Sequence, residues 1–78
     1  MWQEINNKLF KRFTFKDFLK AIEFINKIAI VAEKENHHPE IFNIYNIVEI
    51  RLQTHDAGNK ITEKDRKLAA KIDKLIEQ

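Results

Sequence analysis

Apolar and polar residues alternate in parts of this chain and recur at helical spacing in others. Trp2 to Ile5 is a short run suited to a strand. Asn6-Asn7 follows as a tight turn, because asparagine tolerates positive φ. Lys8 to Phe13 alternates as the return strand, with Leu9, Lys11 and Phe13 on one side and Phe10 and Arg12 on the other.

The period then lengthens. Thr14-Phe15-Lys16-Asp17 predicts a helix start, in which Thr14 accepts a bond from the N–H three residues on and Asp17 suits the positive end of the helix dipole. The helix runs to about Glu35. Phe18, Ile22, Ile25, Ala29 and Ala32 form one apolar stripe, enough for packing on one sheet. Ala21, Phe24, Ile28 and Val31 form a second, which either broadens the core face or meets another subunit. Asn36 can end the helix in the left-handed conformation, and Pro39 pushes His38 into an extended one.

Ile41 to Tyr45 reads as a third strand, with a turn at Tyr45-Asn46. Ile47 to Thr54 alternates clearly. Val48, Ile50, Leu52 and Thr54 make its apolar face, while Glu49, Arg51 and Gln53 make the polar one, joined by parity by His55. The loop Asp56-Ala57-Gly58-Asn59-Lys60 holds the one glycine. Thr62-Glu63-Lys64-Asp65 opens a second helix, with Leu68, Ala69, Ile72, Leu75 and Ile76 as its stripe. Hairpins impose antiparallel pairing. The predicted fold is α+β: a four-stranded antiparallel sheet with two helices packed on one face, in the order β-β-α-β-β-α, as a single domain over 1–78.

Composition narrows the function. The chain has 78 residues and no cysteine, so disulfides and thiolate zinc sites are excluded. A chain this short buries a limited core, which makes self-association the leading source of added stability. The 14 basic and 12 acidic residues are interspersed and leave a net charge of only +2. Direct nucleic-acid binding, which wants a basic patch on one face, is not expected. No apolar run is long enough to span a membrane, and the N-terminus lacks the regions of a signal peptide, so the expected location is cytoplasmic.

The candidate chemistry lies in the histidines. All three fall between residues 37 and 55: His37 and His38 before Pro39, and His55 after the last strand. Imidazole is the side chain whose ordinary pKa lies closest to neutrality. His37 follows a helix C-terminus, where the dipole is partly negative, and Glu33 lies four residues back. Both suit it to carrying and donating a proton. His38, in extended backbone, should point the other way. Folding of 41–54 back on itself lets His55 approach His37-Pro39. A histidine-only zinc site is the competing use of three imidazoles, but two adjacent and one distant is not a familiar zinc spacing. No metal and no cofactor is expected.

Several segments in order resemble the pterin-4a-carbinolamine dehydratase family. Phe13-Thr14-Phe15-Lys16-Asp17-Phe18 is similar to its F-x-F-x-D-F helix entry, and Glu33 to Pro39 to its E-x-x-x-H-H-P signature. Tyr45 to Val48 resembles its Y-x-x-V hairpin, Thr54-His55-Asp56 its T-H-[D/E] strand end, and Thr62 to Asp65 its final helix start. The resemblance implies dehydration of 4a-hydroxytetrahydropterin to quinonoid dihydropterin and water, in tetrahydropterin recycling, by histidine acid–base catalysis.

By matching position, the resemblance makes His37, His38 and His55 the catalytic set. His37 would be the acid at the 4a-hydroxyl, His55 the base at N5 and His38 a substrate-binding residue, the first two roles being interchangeable. Glu33 would orient or charge-couple His37, Pro39 would fix the turn, Thr54 would bind or orient the substrate, and Asp65 would bind, orient or cap. The family resemblance also implies a homodimer or homotetramer through a sheet edge and the long helix, using Ala21, Phe24, Ile28 and Val31.

This chain departs from the family pattern in three places. It begins about where the family's first strand begins, so the family's N-terminal helix is expected to be absent. Its loop Gly58 to Thr62 is one residue longer than the usual G-G-L-[S/T], with Asn59 in place of the second glycine. Ile41 stands where an aromatic residue is often found. The alternative readings are a non-catalytic dimerisation or interaction module, as in relatives that partner a transcription factor, and a pterin-binding protein without turnover.

Overall fold

Two tight turns set the sheet. Asn6 and Asn7 take φ of 52° and 61°, and their left-handed pair joins β1 (Gln3–Ile5) to β2 (Lys8–Thr14). Tyr45, at φ 47°, turns β3 (Glu40–Ile44) into β4 (Ile47–Leu52). A bulky residue is uncommon at positive φ, and this turn is braced from both sides. The Asn43 side-chain amide donates to the Tyr45 and Ile47 carbonyls, and the Asn46 amide donates to the Phe15 carbonyl.

A computed structural model of the protein describes residues 1–76. The four strands form one antiparallel sheet in the order β1-β2-β4-β3, with α1 (Phe18–Glu35) between β2 and β3. A 3-10 turn at His55–Ala57 leads from β4 towards α2 (Glu63–Ile76). The architecture is the expected α+β one. No helix among the described residues is long and apolar enough to cross a membrane.

Both helices cover the same sheet face. One cluster joins Leu9 and Phe13 of β2, Val48, Ile50 and Leu52 of β4, Ala21, Phe24 and Ile28 of α1, and Leu68, Ala69 and Ile72 of α2. Lys11 also points to this face without breaking it. Its Nζ lies over the Phe13 and Trp2 rings, 5.0 and 5.9 Å from their centroids, and reaches Asp73 Oδ1 of α2 at 2.8 Å.

Two expectations are corrected. Helix α1 is capped by Asp17, whose Oδ1 accepts from the Lys20 N–H at 2.9 Å. Thr14 is the last residue of β2 instead. The stripes of α1 also exchange roles. Ala21, Phe24 and Ile28 are buried inside this chain, with Val31 half-buried against them, so they are not a surface for another subunit. Of the stripe assigned to the sheet, only Ala32 is buried, Ile22 and Ile25 are half-buried, and Phe18 and Ala29 are exposed. Both stripes have helical spacing, so periodicity cannot say which one the strand connections turn inward.

Candidate active site

The end of α1 sets the first imidazole. Asn36 adopts the left-handed conformation, φ 51° and ψ 42°. Its N–H donates to the Glu33 carbonyl and that of His37 to the Ala32 carbonyl, each at 3.1 Å. This pair of bonds closes a helix in the Schellman manner. It also swings His37 off the helix surface towards the start of α2. There His37 Nε2 lies 2.5 Å from Asp65 Oδ1.

Asp65 is wholly buried. A buried carboxylate is costly unless donors surround it, and here they do. Oδ1 takes His37, while Oδ2 accepts from the Thr54 hydroxyl and the Thr62 N–H, each at 2.8 Å. The last bond is half of a capping box for α2. Each threonine hydroxyl has one proton. Thr54 spends its proton on Asp65, so Thr62 donates to Thr54 across 2.6 Å. Among the described residues, no buried side-chain polar atom lacks a partner. Asp65 thus caps α2 and fixes the His37 ring through one buried network.

The other two imidazoles are exposed. His38 Nε2 meets Glu33 Oε1 at 2.8 Å, with both side chains largely in solvent. His55 starts the 3-10 turn, and its Nδ1 meets Asn59 Oδ1 at 2.9 Å. Glu33 therefore pairs with His38, whereas the spacing had tied it to His37. The four-residue interval brings side chains together only along a continuing helix, and this helix stops at Asn36.

One open cleft of about 260 Å³ is lined by Asn36, His37, His38, Gln53, Thr54, His55, Asp56 and Lys64. All three histidines and Thr54 share it. Glu33, Pro39 and Asp65 stand behind the wall: Glu33 on His38, Pro39 half-buried before β3, and Asp65 beneath His37. Sequence reasoning missed the lining residues Asn36, Gln53 and Lys64, and missed Asn59 as the partner of His55. For Gln53 a signal existed, since it continues the polar side of the alternation that runs through β4 to His55. Among the described residues, no group of three or more His, Cys, Asp or Glu side chains is arranged to hold a metal ion. Each imidazole instead has a separate partner.

A family model described as pterin 4 alpha carbinolamine dehydratase matches residues 1–75. A curated relative from Prochlorococcus marinus (strain MIT 9515) bears the name of a pterin-4-alpha-carbinolamine dehydratase. It is 46% identical over 99% of this chain and 79% of its own length. One of the same name from Solibacter usitatus is 51% identical over 95% of this chain and 77% of its own. Among solved structures, a transcriptional coactivator/pterin dehydratase from Brucella melitensis superimposes with a TM-score of 0.86 at 43% identity, covering 92% of this chain and 78% of that one. A pterin dehydratase-like protein identified as a RuBisCO assembly factor in the alpha-carboxysome superimposes with a TM-score of 0.77 at 29% identity, covering 96% and 86%.

Proposed function

Because this chain belongs to the pterin 4 alpha carbinolamine dehydratase family, we propose that it dehydrates 4a-hydroxytetrahydropterin by histidine acid–base catalysis. The observation that carries the reading is the meeting of His37, His38 and His55 in one cleft. At about 260 Å³ that cleft lies just under the range of about 300–1,000 Å³ of drug-sized ligand sites. The scale suits a bicyclic ring.

The reaction breaks the C4a–O bond and the N5–H bond and forms a C4a–N5 double bond. A proton must reach the departing hydroxyl, and another must leave N5. His37 gives the first. Its ring is held by Asp65, which sits against the charge the ring bears when doubly protonated. His55 takes the second, and His38 holds the pterin at the mouth. After water leaves, the proton gained at His55 and the proton lost at His37 balance, so one exchange with solvent resets the site. Positioned acids and bases of this kind each contribute about 10²–10⁴-fold.

Steady-state dehydratase kinetics test this. His37→Ala and His55→Ala should each lower kcat by about 10²–10⁴-fold, and His38→Ala should act mainly on KM. Wild-type kcat in both of the first two variants would overturn the assignment.

The second reading is a non-catalytic interaction module, and the carboxysomal assembly factor is the neighbour behind it. Three imidazoles in one cleft favour catalysis, because a scaffold has no physical need of them. Self-association belongs to the same proposal. The edge strand β3 exposes Ile41, Phe42 and Ile44, and the outer side of α1 exposes Leu19 and Ile30. A second copy would cover these surfaces, and a monomeric mass in light scattering would exclude that.

A further inference from the structure

The loop after β4 is built around Asn59. Gly58 and Asn59 both take left-handed backbone, with φ of 80° and 58°. They turn the chain so that Thr54 and Lys60 bond each other across the loop, N–H to carbonyl in both directions, at 2.9 and 3.3 Å. The Gln53 side-chain amide donates to the Asn59 carbonyl at 3.0 Å and to the Asn7 carbonyl at 3.3 Å, which ties the loop to the β1–β2 turn. With its backbone held from two sides, Asn59 places Oδ1 2.9 Å from His55 Nδ1.

An amide oxygen can only accept, so the proton of this bond is on His55 Nδ1. A neutral imidazole has one N–H, and its other nitrogen then bears the lone pair. We infer that Asn59 is a positioning residue for His55: it holds the ring in the Nδ1–H tautomer and leaves Nε2 as the nitrogen free to take a proton. The inference rests on the dehydratase reading, in which His55 is the base at N5. Two demands fall on position 59, a positive φ and a side-chain acceptor. Asparagine and aspartate meet both. The glycine of the resembling loop would meet the first and leave the imidazole without this partner. The extra loop residue and the replaced glycine therefore act together in this chain.

The test uses Asn59→Gly, which removes the acceptor without backbone penalty, and Asn59→Asp, which keeps both acceptor and φ. Ring-nitrogen NMR of the full chain in alkaline buffer, where histidine is neutral, reads the tautomer without substrate. Wild type and Asn59→Asp should show His55 protonated at Nδ1, and Asn59→Gly should shift the proton towards Nε2. In parallel, kcat of Asn59→Gly should fall about 10- to 100-fold, the scale set by hydrogen-bond partners that orient metal-bound histidines, with KM little changed and recovery in Asn59→Asp. A His55 tautomer that does not respond to Asn59→Gly overturns the inference, and so does a shifted tautomer with unchanged kcat. A wild-type chain with no dehydratase turnover overturns the catalytic reading instead. In that event the tautomer shift still supports the contact that orients the ring.

Discussion

His37 Nε2 and Asp65 Oδ1 are 2.5 Å apart, so the residue just past the end of α1 is bonded to the first turn of α2. The bond spans 28 positions of sequence and ends on a wholly buried carboxylate. It couples the orientation of a candidate acid to the packing of the last helix.

Asp65→Asn is therefore expected to reduce both stability and turnover. The amide presents an NH2 where one of the three donors now arrives, leaving that donor without an acceptor. The expected loss is about 3 kcal/mol, the upper end of the cost of stranding a buried hydrogen-bonding group. Urea denaturation reads the stability, and steady-state kinetics should show kcat falling by at least about 10²-fold, as for the loss of a positioned acid. Parent stability in this variant would mean that the buried network contributes nothing.

Glu33→Gln separates the observed pairing from the one that spacing suggests. Among the described residues the Glu33 side chain pairs only with the exposed His38, and exposed ion pairs contribute about 0–1 kcal/mol. Thermal melting should place the variant close to the parent, and kcat should be nearly unchanged. A collapse of kcat like that of Asp65→Asn would show Glu33 acting on His37 after all.

The buried and the exposed sides of α1 predict opposite mutational costs. Phe24 packs on Phe13 and Phe15 with ring centroids 4.9 Å apart in each case, inside the core. Phe24→Ala should cost about 3–5 kcal/mol, a large part of the stability of a small domain. Leu19 is 70% exposed, and Leu19→Ala should stay within about 0.5 kcal/mol in a chain measured as a monomer. Chemical denaturation at low protein concentration checks the pair. A comparable loss in both would place the Leu19 side of α1 in the core as well.

Acid should weaken the fold through two glutamates. Hydrogen bonds and charge from Arg12, then Arg51, hold the Glu49 carboxyl below the usual 4.5, and Lys71 chiefly does the same for Glu35. A carboxyl whose folded pKa lies below its unfolded one stabilises fully above the unfolded value. That contribution disappears as pH falls through the folded value. Denaturation midpoints should thus drop as pH is lowered from about 5 to about 3. The drop should shrink in Glu35→Gln and Glu49→Gln and in high salt. Unchanged pH profiles in both variants would remove these pairs from the account of acid stability.

Much of the fold was legible because its signals are local. The alternation of Ile47 to Thr54, the Asn6-Asn7 turn, the left-handed Asn36 and the Thr62–Asp65 capping box each depend on neighbours a few positions apart, and the structure repeats them. The helix start was misplaced by three residues because Thr14 and Asp17 are both competent caps. β2 claims Thr14 through its pairing with Ile47. The stripes of α1 were ambiguous for a related reason, since the helix is apolar on more than one side.

The sequence alone determined which elements form and that all imidazoles fall in one stretch, because periodicity, turn chemistry and composition are properties of neighbouring residues. Only the tertiary structure decided who partners whom: Asp65 with His37, Glu33 with His38 and Asn59 with His55. The left-handed end of α1 and the buried start of α2 bring residues far apart in the chain within hydrogen-bond reach. No spacing rule along one helix or strand encodes that meeting.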